Sequence, residues 1–116
     1  MKSRFLKLTI DDIIDAIIKI ERYISEMNFL KFKENDLVID AVIRNLEIIS
    51  EASTYIPENI RNKYPELPWK RIVGLRNIAI HGYFNVDLNL IWTIITKNIP
   101  EAKQIISKMQ KDLLKE

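Results

Sequence analysis

The sequence predicts an all-α fold in which antiparallel helices, with short additional helices, form one bundle. Apolar residues recur every three to four positions over most of the chain, which is the spacing of one face of an α-helix. The 116 residues include only two glycines and four prolines, too few for a β protein with many tight turns. Isoleucine is abundant and favours strands by propensity, but the helical periodicity overrules that preference.

The N-terminal part predicts one long helix followed by a connector. Residues 1–8 are mixed basic and apolar, which favours an opening turn or strap. Thr9 and Asp12 have the spacing of a capping box, so we expect a helix to begin after them and to span about 10–27. Residues 31–35 are predicted to be a polar connector. The isoleucines that define the helix face are Ile10, Ile13, Ile14, Ile17, Ile20 and Ile24.

The second long helix is predicted over about 36–55, with Asn35 or Asp36 as its N-cap. Apolar residues occupy two sides of this helix, so it should have two packing partners. One partner is the domain core, and a second subunit is a candidate for the other.

In the middle of the chain the sequence predicts a short helix, a loop restricted by prolines, and a central helix. The short helix spans about 57–63, and the two prolines within Tyr64–Trp69 keep the next segment extended. The central helix then covers about 69–81, with Gly82 placed to end it. Gly74 lies inside this helix, where it would allow another helix to approach closely.

Two further helices complete the prediction. One spans about 88–98 and is capped by Asp87 or Asn85. The last spans about 100–115, with Pro100 in its first turn. No repeat or linker interrupts the pattern, so the chain is predicted to be a single domain over residues 1–116.

The composition narrows the class of protein. The net charge of +2 and pI of about 8.8 allow a nucleic-acid partner without indicating one. The absence of cysteine excludes disulfides and thiolate metal sites and fits a reducing, cytoplasmic location. The N-terminus lacks the apolar run of a signal peptide, and no apolar stretch is long enough to span a membrane. We therefore expect a cytoplasmic protein.

The candidate site lies in the stretch Trp69–Phe84, which holds the one histidine of the chain, His81. Arg76 supplies a guanidinium, which binds phosphate oxygens in pairs and keeps its charge. The imidazole of His81 can take a proton from a hydroxyl and give one to a leaving oxygen. Arginine and histidine together suffice for cleavage of RNA without a metal ion, through attack of the ribose 2′-hydroxyl on the adjacent phosphorus.

This chemistry needs an acid and a base, whereas one chain has one histidine. A two-fold dimer would supply a second His81 if its axis ran beside the central helix. On a straight helix Arg76 and His81 point about 140° apart, so either the helix is distorted near Gly82 or the two side chains meet at a shared cleft.

A purely structural role is an open alternative for each of these residues. His81 near a helix C-terminus is favoured by the helix dipole without any function. Arg76 could form a structural ion pair, and Tyr83 could be a core aromatic. Glu47 and Glu51 form either a solvated edge or a pair of carboxylates that orient Arg76 or His81. No cluster of metal ligands is evident, and we expect no metal and no cofactor.

Several segments in order resemble the HepT toxins of the HEPN superfamily. The segment Arg76-Asn-Ile-Ala-Ile-His81-Gly-Tyr83 fits the Arg-x4-His-x-Tyr pattern of these proteins. The match extends over nearly the whole chain, because three further regions are also similar. They are Asn45–Ala52, Tyr64–Arg76, and Asn85–Trp92 with Asn98–Pro100.

The resemblance implies a HEPN-type helix bundle that acts as a metal-independent endoribonuclease. It implies a homodimer in which Arg76 and His81 of both subunits line one cleft, with Asn77 as a supporting polar group. It also implies the toxin half of a type VII toxin–antitoxin pair, whose antitoxin is a minimal nucleotidyltransferase that attaches AMP to the motif tyrosine, here Tyr83.

The expected substrate is a transfer or messenger RNA, and Lys70 and Arg71 are candidates for contacting it in the dimer groove. Two alternatives stay open at this point. One is a non-catalytic helical module that binds a nucleotide or a nucleotidyltransferase. The other is a dimeric bundle with a structural role only.

Overall fold

The computed structural model describes residues 2–85 and 87–115, and for residues 2–3 and 79–85 it describes the backbone alone. Every regular element in this part of the chain is helical, which confirms the all-α prediction. The elements are α1 (Lys2–Ile24), α2 (Phe29–Lys33), α3 (Asp36–Thr54), α4 (Glu58–Arg61), α5 (Trp69–Asn85), α6 (Leu88–Thr93), a π-helical turn (Ile94–Asn98) and α7 (Ile99–Leu114).

Helix α3 lies at the centre of the bundle and packs against both α1 and α5. Its two apolar sides therefore find both of their partners within the same chain. Helix α1 also packs against α7, and the two run antiparallel: Lys103 contacts Glu21 at 2.7 Å, and Gln110 donates to Asp11 at 2.7 Å. The fully buried side chains include Ile10, Ile13, Ile17, Ile20, Val42, Leu46, Ile49, Ile91, Ile95 and Met109.

The start of α1 differs from the prediction. The helix is continuous from Lys2, and the hydroxyl of Thr9 donates to the carbonyl of Phe5 at 2.9 Å, one turn earlier. Thr9 and Asp12 therefore do not form a capping box, and residues 2–8 are not a strap. The buried Leu6 explains the difference, because it extends the apolar stripe one turn before Ile10.

The predicted connector at residues 31–35 contains most of a short helix, α2. Asn28 caps it, and its side-chain oxygen accepts a hydrogen bond from the backbone N–H of Lys31 at 2.9 Å. Phe32 is fully buried, with its ring centroid 5.1 Å from that of Trp92. The prediction of a polar connector was wrong because a single buried side chain gives no periodicity to detect.

Two predicted caps are confirmed. Asn35 accepts from the N–H of Val38 at 3.0 Å at the start of α3, and Asp87 accepts from the N–H of Leu90 at 3.1 Å at the start of α6. The predicted loop before the central helix is confirmed, since α5 begins at Trp69. Its extended conformation is not, because the N–H of Leu67 donates to the carbonyl of Tyr64 at 3.2 Å and closes a turn.

The predicted end of the central helix was wrong. Helix α5 continues to Asn85, so Gly82 does not terminate it. A glycine inside a helix costs about 1 kcal/mol relative to alanine, which the rest of the helix can offset. The helices predicted at 88–98 and 100–115 also join directly, because the π-helical turn connects α6 to α7.

Candidate functional site

The candidate site is built on the packing of α3 against α5. The hydroxyl of Ser50 donates a short hydrogen bond to the carbonyl of Val73, which joins the two helices directly. Ser50 is buried at this contact. Glu51 follows it on α3, and Arg76 lies one turn beyond Val73 on α5, so the two helices present these side chains to each other.

Arg76 and Glu51 form an ion pair across the two helices. A terminal nitrogen of the guanidinium lies 3.6 Å from Oε2 of Glu51, and the side chains are 62% and 53% exposed. The other carboxylate oxygen, Oε1, lies 3.4 Å from the hydroxyl of Tyr55. The guanidinium is thus held on one side and remains open to solvent on another.

Arg76 lies on the wall of a cleft of about 670 Å³ between α1, α3 and α5. The cleft combines charged groups with an aromatic pair at one end, where the rings of Phe5 and Tyr55 meet edge to face with centroids 6.0 Å apart. Its volume is in the range of small-ligand sites. The described lining residues are Phe5, Thr9, Asp12, Arg44, Glu47, Ile48, Glu51, Ala52, Tyr55 and Arg76.

Glu47 lines the same cleft but has a different partner. Its carboxylate lies 3.6 Å from Arg44, one turn earlier on α3. Of the two carboxylates proposed to orient Arg76, the structure therefore brings Glu51 to it and pairs Glu47 elsewhere.

The other predicted cations of α5 do not share this cleft. Arg71 lines a second groove of about 440 Å³ between α5 and the segment from α6 to α7. Lys70 is exposed in the first turn of α5, and Asn77 is exposed next to Arg76. Gly74 also lines the second groove, where a Cβ atom added to it would meet nothing within 4 Å. No other helix in the described part of the chain therefore packs closely against Gly74.

His81 and Tyr83 carry the two remaining site predictions. Their backbone belongs to α5, and their side chains lie outside the described residues. The distance between Arg76 and His81 therefore stays a prediction.

The sequence interpretation missed several residues of the cleft, including Phe5, Arg44 and Tyr55. A signal for part of this set was present, because Arg44, Glu47 and Glu51 recur at three- and four-residue spacing and form a polar stripe along α3. Phe5 could not be found in this way while residues 1–8 were interpreted as a strap.

Among the described side chains, no group of three or more His, Asp or Glu residues could hold a metal ion. No helix in the described residues is long and apolar enough to cross a membrane.

Comparison with known proteins gives a consistent set of relatives. The model of the family described as "Ribonuclease HepT-like" matches residues 13–109. A Methanocaldococcus jannaschii protein named as a candidate RNase is 40% identical over 104 residues, which cover 90% of this chain and 95% of the relative. The "Probable ribonuclease HepT" of Thermococcus cleftensis is 38% identical over 102 residues, covering 88% and 93%.

A more distant relative is the "mRNA nuclease HepT" of Shewanella oneidensis, which is 26% identical over 125 aligned positions. The alignment covers 83% of this chain and 94% of that protein. No solved structure matches the chain.

Proposed function

Because the chain belongs to the HepT-like family of ribonucleases, we propose that it is the toxin half of a type VII toxin–antitoxin pair. Endoribonuclease activity follows from the family. The proposal adds a metal-independent mechanism that uses Arg76 and His81, a homodimeric cleft, and inhibition by AMP on Tyr83.

The observation that carries the mechanism is the placement of Arg76. Its side chain is 62% exposed on the wall of a cleft, so a phosphate can reach it from solvent. The 2′-hydroxyl of the substrate loses its proton to a neutral imidazole and attacks phosphorus, and the 5′-oxygen leaves with a proton from an imidazolium. Arg76 stabilises the charge that develops on the non-bridging oxygens. The products are a 2′,3′-cyclic phosphate and a 5′-hydroxyl.

A homodimer is proposed because the reaction needs two groups that transfer protons, a base and an acid. One His81 cannot be base and acid in the same step, so the second imidazole comes from a second subunit. Phe5 and Tyr55 support this arrangement, because both are more than half exposed at the end of the Arg76 cleft. A second subunit beside the cleft would cover this apolar surface.

The proposed substrate is a cytoplasmic transfer or messenger RNA. The Shewanella oneidensis relative is named for messenger RNA, which supports the second of these. Lys70 and Arg71 are exposed on α5 and are proposed to contact the RNA backbone away from the cleavage point. Asn77 is proposed as a polar group that supports Arg76.

The inhibitory modification is proposed at Tyr83. A phenol that carries AMP adds bulk and a negatively charged phosphate two residues from His81 and seven residues, about two helical turns, from Arg76. The added phosphate would repel the RNA phosphate. The antitoxin would then be a minimal nucleotidyltransferase. Co-expression with that partner should raise the intact mass by AMP units, and Tyr83→Phe should prevent the increase. An unchanged mass would favour inhibition by simple masking.

The test of the mechanism compares two arginines of the same helix. The purified protein should cleave RNA in EDTA and leave a 2′,3′-cyclic phosphate, and both Arg76→Ala and His81→Ala should abolish the product. Arg71→Ala is the matched variant, because it removes an exposed guanidinium from the second groove. It should raise KM and leave kcat close to that of the unmodified protein. A requirement for a divalent metal would refute the mechanism.

One observation favours a second candidate function. The described lining of the cleft holds three carboxylates, Asp12, Glu47 and Glu51, against two guanidinium groups. This balance fits a non-catalytic module that binds a nucleotidyltransferase through basic residues of that partner. Stable complex formation without RNA cleavage, and without growth arrest on expression, would distinguish this function from the first.

A further inference from the structure

The carboxylate of Glu51 has a defined relation to the proposed catalytic cation. It lies 3.6 Å from a terminal nitrogen of Arg76, on a different helix. We propose that Glu51 is a positioning residue that aims the guanidinium of Arg76 into the cleft, a role that rests on the proposed ribonuclease function. Glu51 acts through Arg76 and does not touch the reacting atoms.

The carboxylate of Glu51 has a second contact besides Arg76, which favours one orientation. The hydroxyl of Tyr55, the residue that follows the C-terminus of α3, donates a long hydrogen bond to Oε1 at 3.4 Å. The preceding residue, Ser50, joins α3 to α5 through the carbonyl of Val73. Each oxygen of Glu51 thus has a partner, and the backbones that carry Glu51 and Arg76 are linked one turn away. The arrangement restricts the rotamers of a long, flexible side chain.

The same geometry leaves Arg76 able to bind a phosphate. A guanidinium carries five N–H donors, and the Glu51 contact involves one terminal nitrogen. The second terminal nitrogen and Nε can still form the two parallel hydrogen bonds that suit a phosphate. Glu51 therefore acts as a fixed support on one side of the cation, and the RNA phosphate binds on the other.

Glu47 provides a matched control within the same cleft. It is the same residue type on the same helix, and its carboxylate also lies 3.6 Å from an arginine. Its partner is Arg44 rather than Arg76. Glu47→Gln and Glu51→Gln therefore remove the same charge from the same cleft, while only the second change removes the support of Arg76.

The experiment measures kcat and KM of both variants on a short RNA, together with the unmodified protein and Arg76→Ala. Removal of a negative charge should keep KM unchanged or lower it in both variants. Glu51→Gln should lower kcat by about 1.5-fold to fivefold, the scale expected when one exposed ion pair is lost. Glu47→Gln, which leaves the contact between Glu51 and Arg76 in place, should lower kcat less than Glu51→Gln does. Glu47→Gln, Glu51→Gln and the unmodified protein should have similar melting temperatures, so that a fall in kcat cannot be assigned to unfolding.

A second readout does not depend on cleavage. The Nε–Hε resonance of Arg76 in an NMR spectrum, assigned with Arg76→Lys, should move or broaden in Glu51→Gln and stay unchanged in Glu47→Gln. A resonance that is unchanged in both variants would overturn the pairing.

The outcomes separate the two proposals. If the unmodified protein cleaves RNA and Arg76→Ala does not, the proposed function stands. An equal kcat in the two glutamine variants would then overturn the positioning role, as would a rise in kcat for Glu51→Gln, which would identify Glu51 as a competitor of phosphate. If the unmodified protein does not cleave RNA, the proposed function falls and catalytic positioning falls with it. The Arg76 resonance then decides whether Glu51 holds the guanidinium at all.

Discussion

Replacement of Phe32 by alanine tests the least expected element of the fold. Phe32 is fully buried on α2, with its ring 5.1 Å from that of Trp92 and tilted by 36°. Removal of a buried phenyl ring with only partial relaxation of its neighbours costs about 3–5 kcal/mol. With an unfolding entropy of about 2.1 cal/mol/K per residue, a chain of this length should lose roughly 12–20 °C in melting temperature.

Leu30 offers the matched control, because it lies on the same short helix and is 61% exposed. Leu30→Ala should change stability by less than about 0.5 kcal/mol, which corresponds to roughly 2 °C. Thermal and urea unfolding followed by circular dichroism at one protein concentration would measure both, since a dimer would make the midpoint depend on concentration. If Phe32→Ala unfolded within about 1 kcal/mol of Leu30→Ala, the docking of α2 on α6 would be wrong.

Two further predictions concern single positions. Gly74→Ala should raise the melting temperature by about 3 °C, because the added Cβ meets nothing within 4 Å and alanine favours a helix by about 0.8 kcal/mol. Calorimetry and sedimentation would measure this, and a loss of stability or of dimerisation would instead mean that another chain packs against Gly74. Tyr64→Phe removes a hydroxyl that donates to Asp112 at 2.6 Å and should cost about 1–2 kcal/mol in urea unfolding. Asp112→Asn, which keeps an acceptor, should cost less, and equal losses would contradict the assigned bond.

The central helix shows how far the candidate site could be predicted. The residue types of Arg76 and Asn77, their helical placement and the family pattern were all available from the sequence. The sequence left Glu47 and Glu51 as either a solvated edge or a pair of carboxylates that orient Arg76 or His81, because spacing along α3 gives no information about which carboxylate faces α5. The structure brings Glu51 to Arg76 through the packing of α3 on α5, where Ser50 bonds to Val73, and pairs Glu47 with Arg44.

The fold class and the two long amphipathic helices could be predicted from the sequence, and each cap could be narrowed to two residues, Asn35 or Asp36 and Asp87 or Asn85. These features depend on periodicity and on local side-chain hydrogen bonds, which involve residues within a few positions of each other. The tertiary structure alone decided the helical start of α1, the burial of Phe32 against Trp92 and the membership of the Arg76 cleft. Each of these depends on contacts between residues far apart in the chain, and such contacts leave no local pattern from which to predict them.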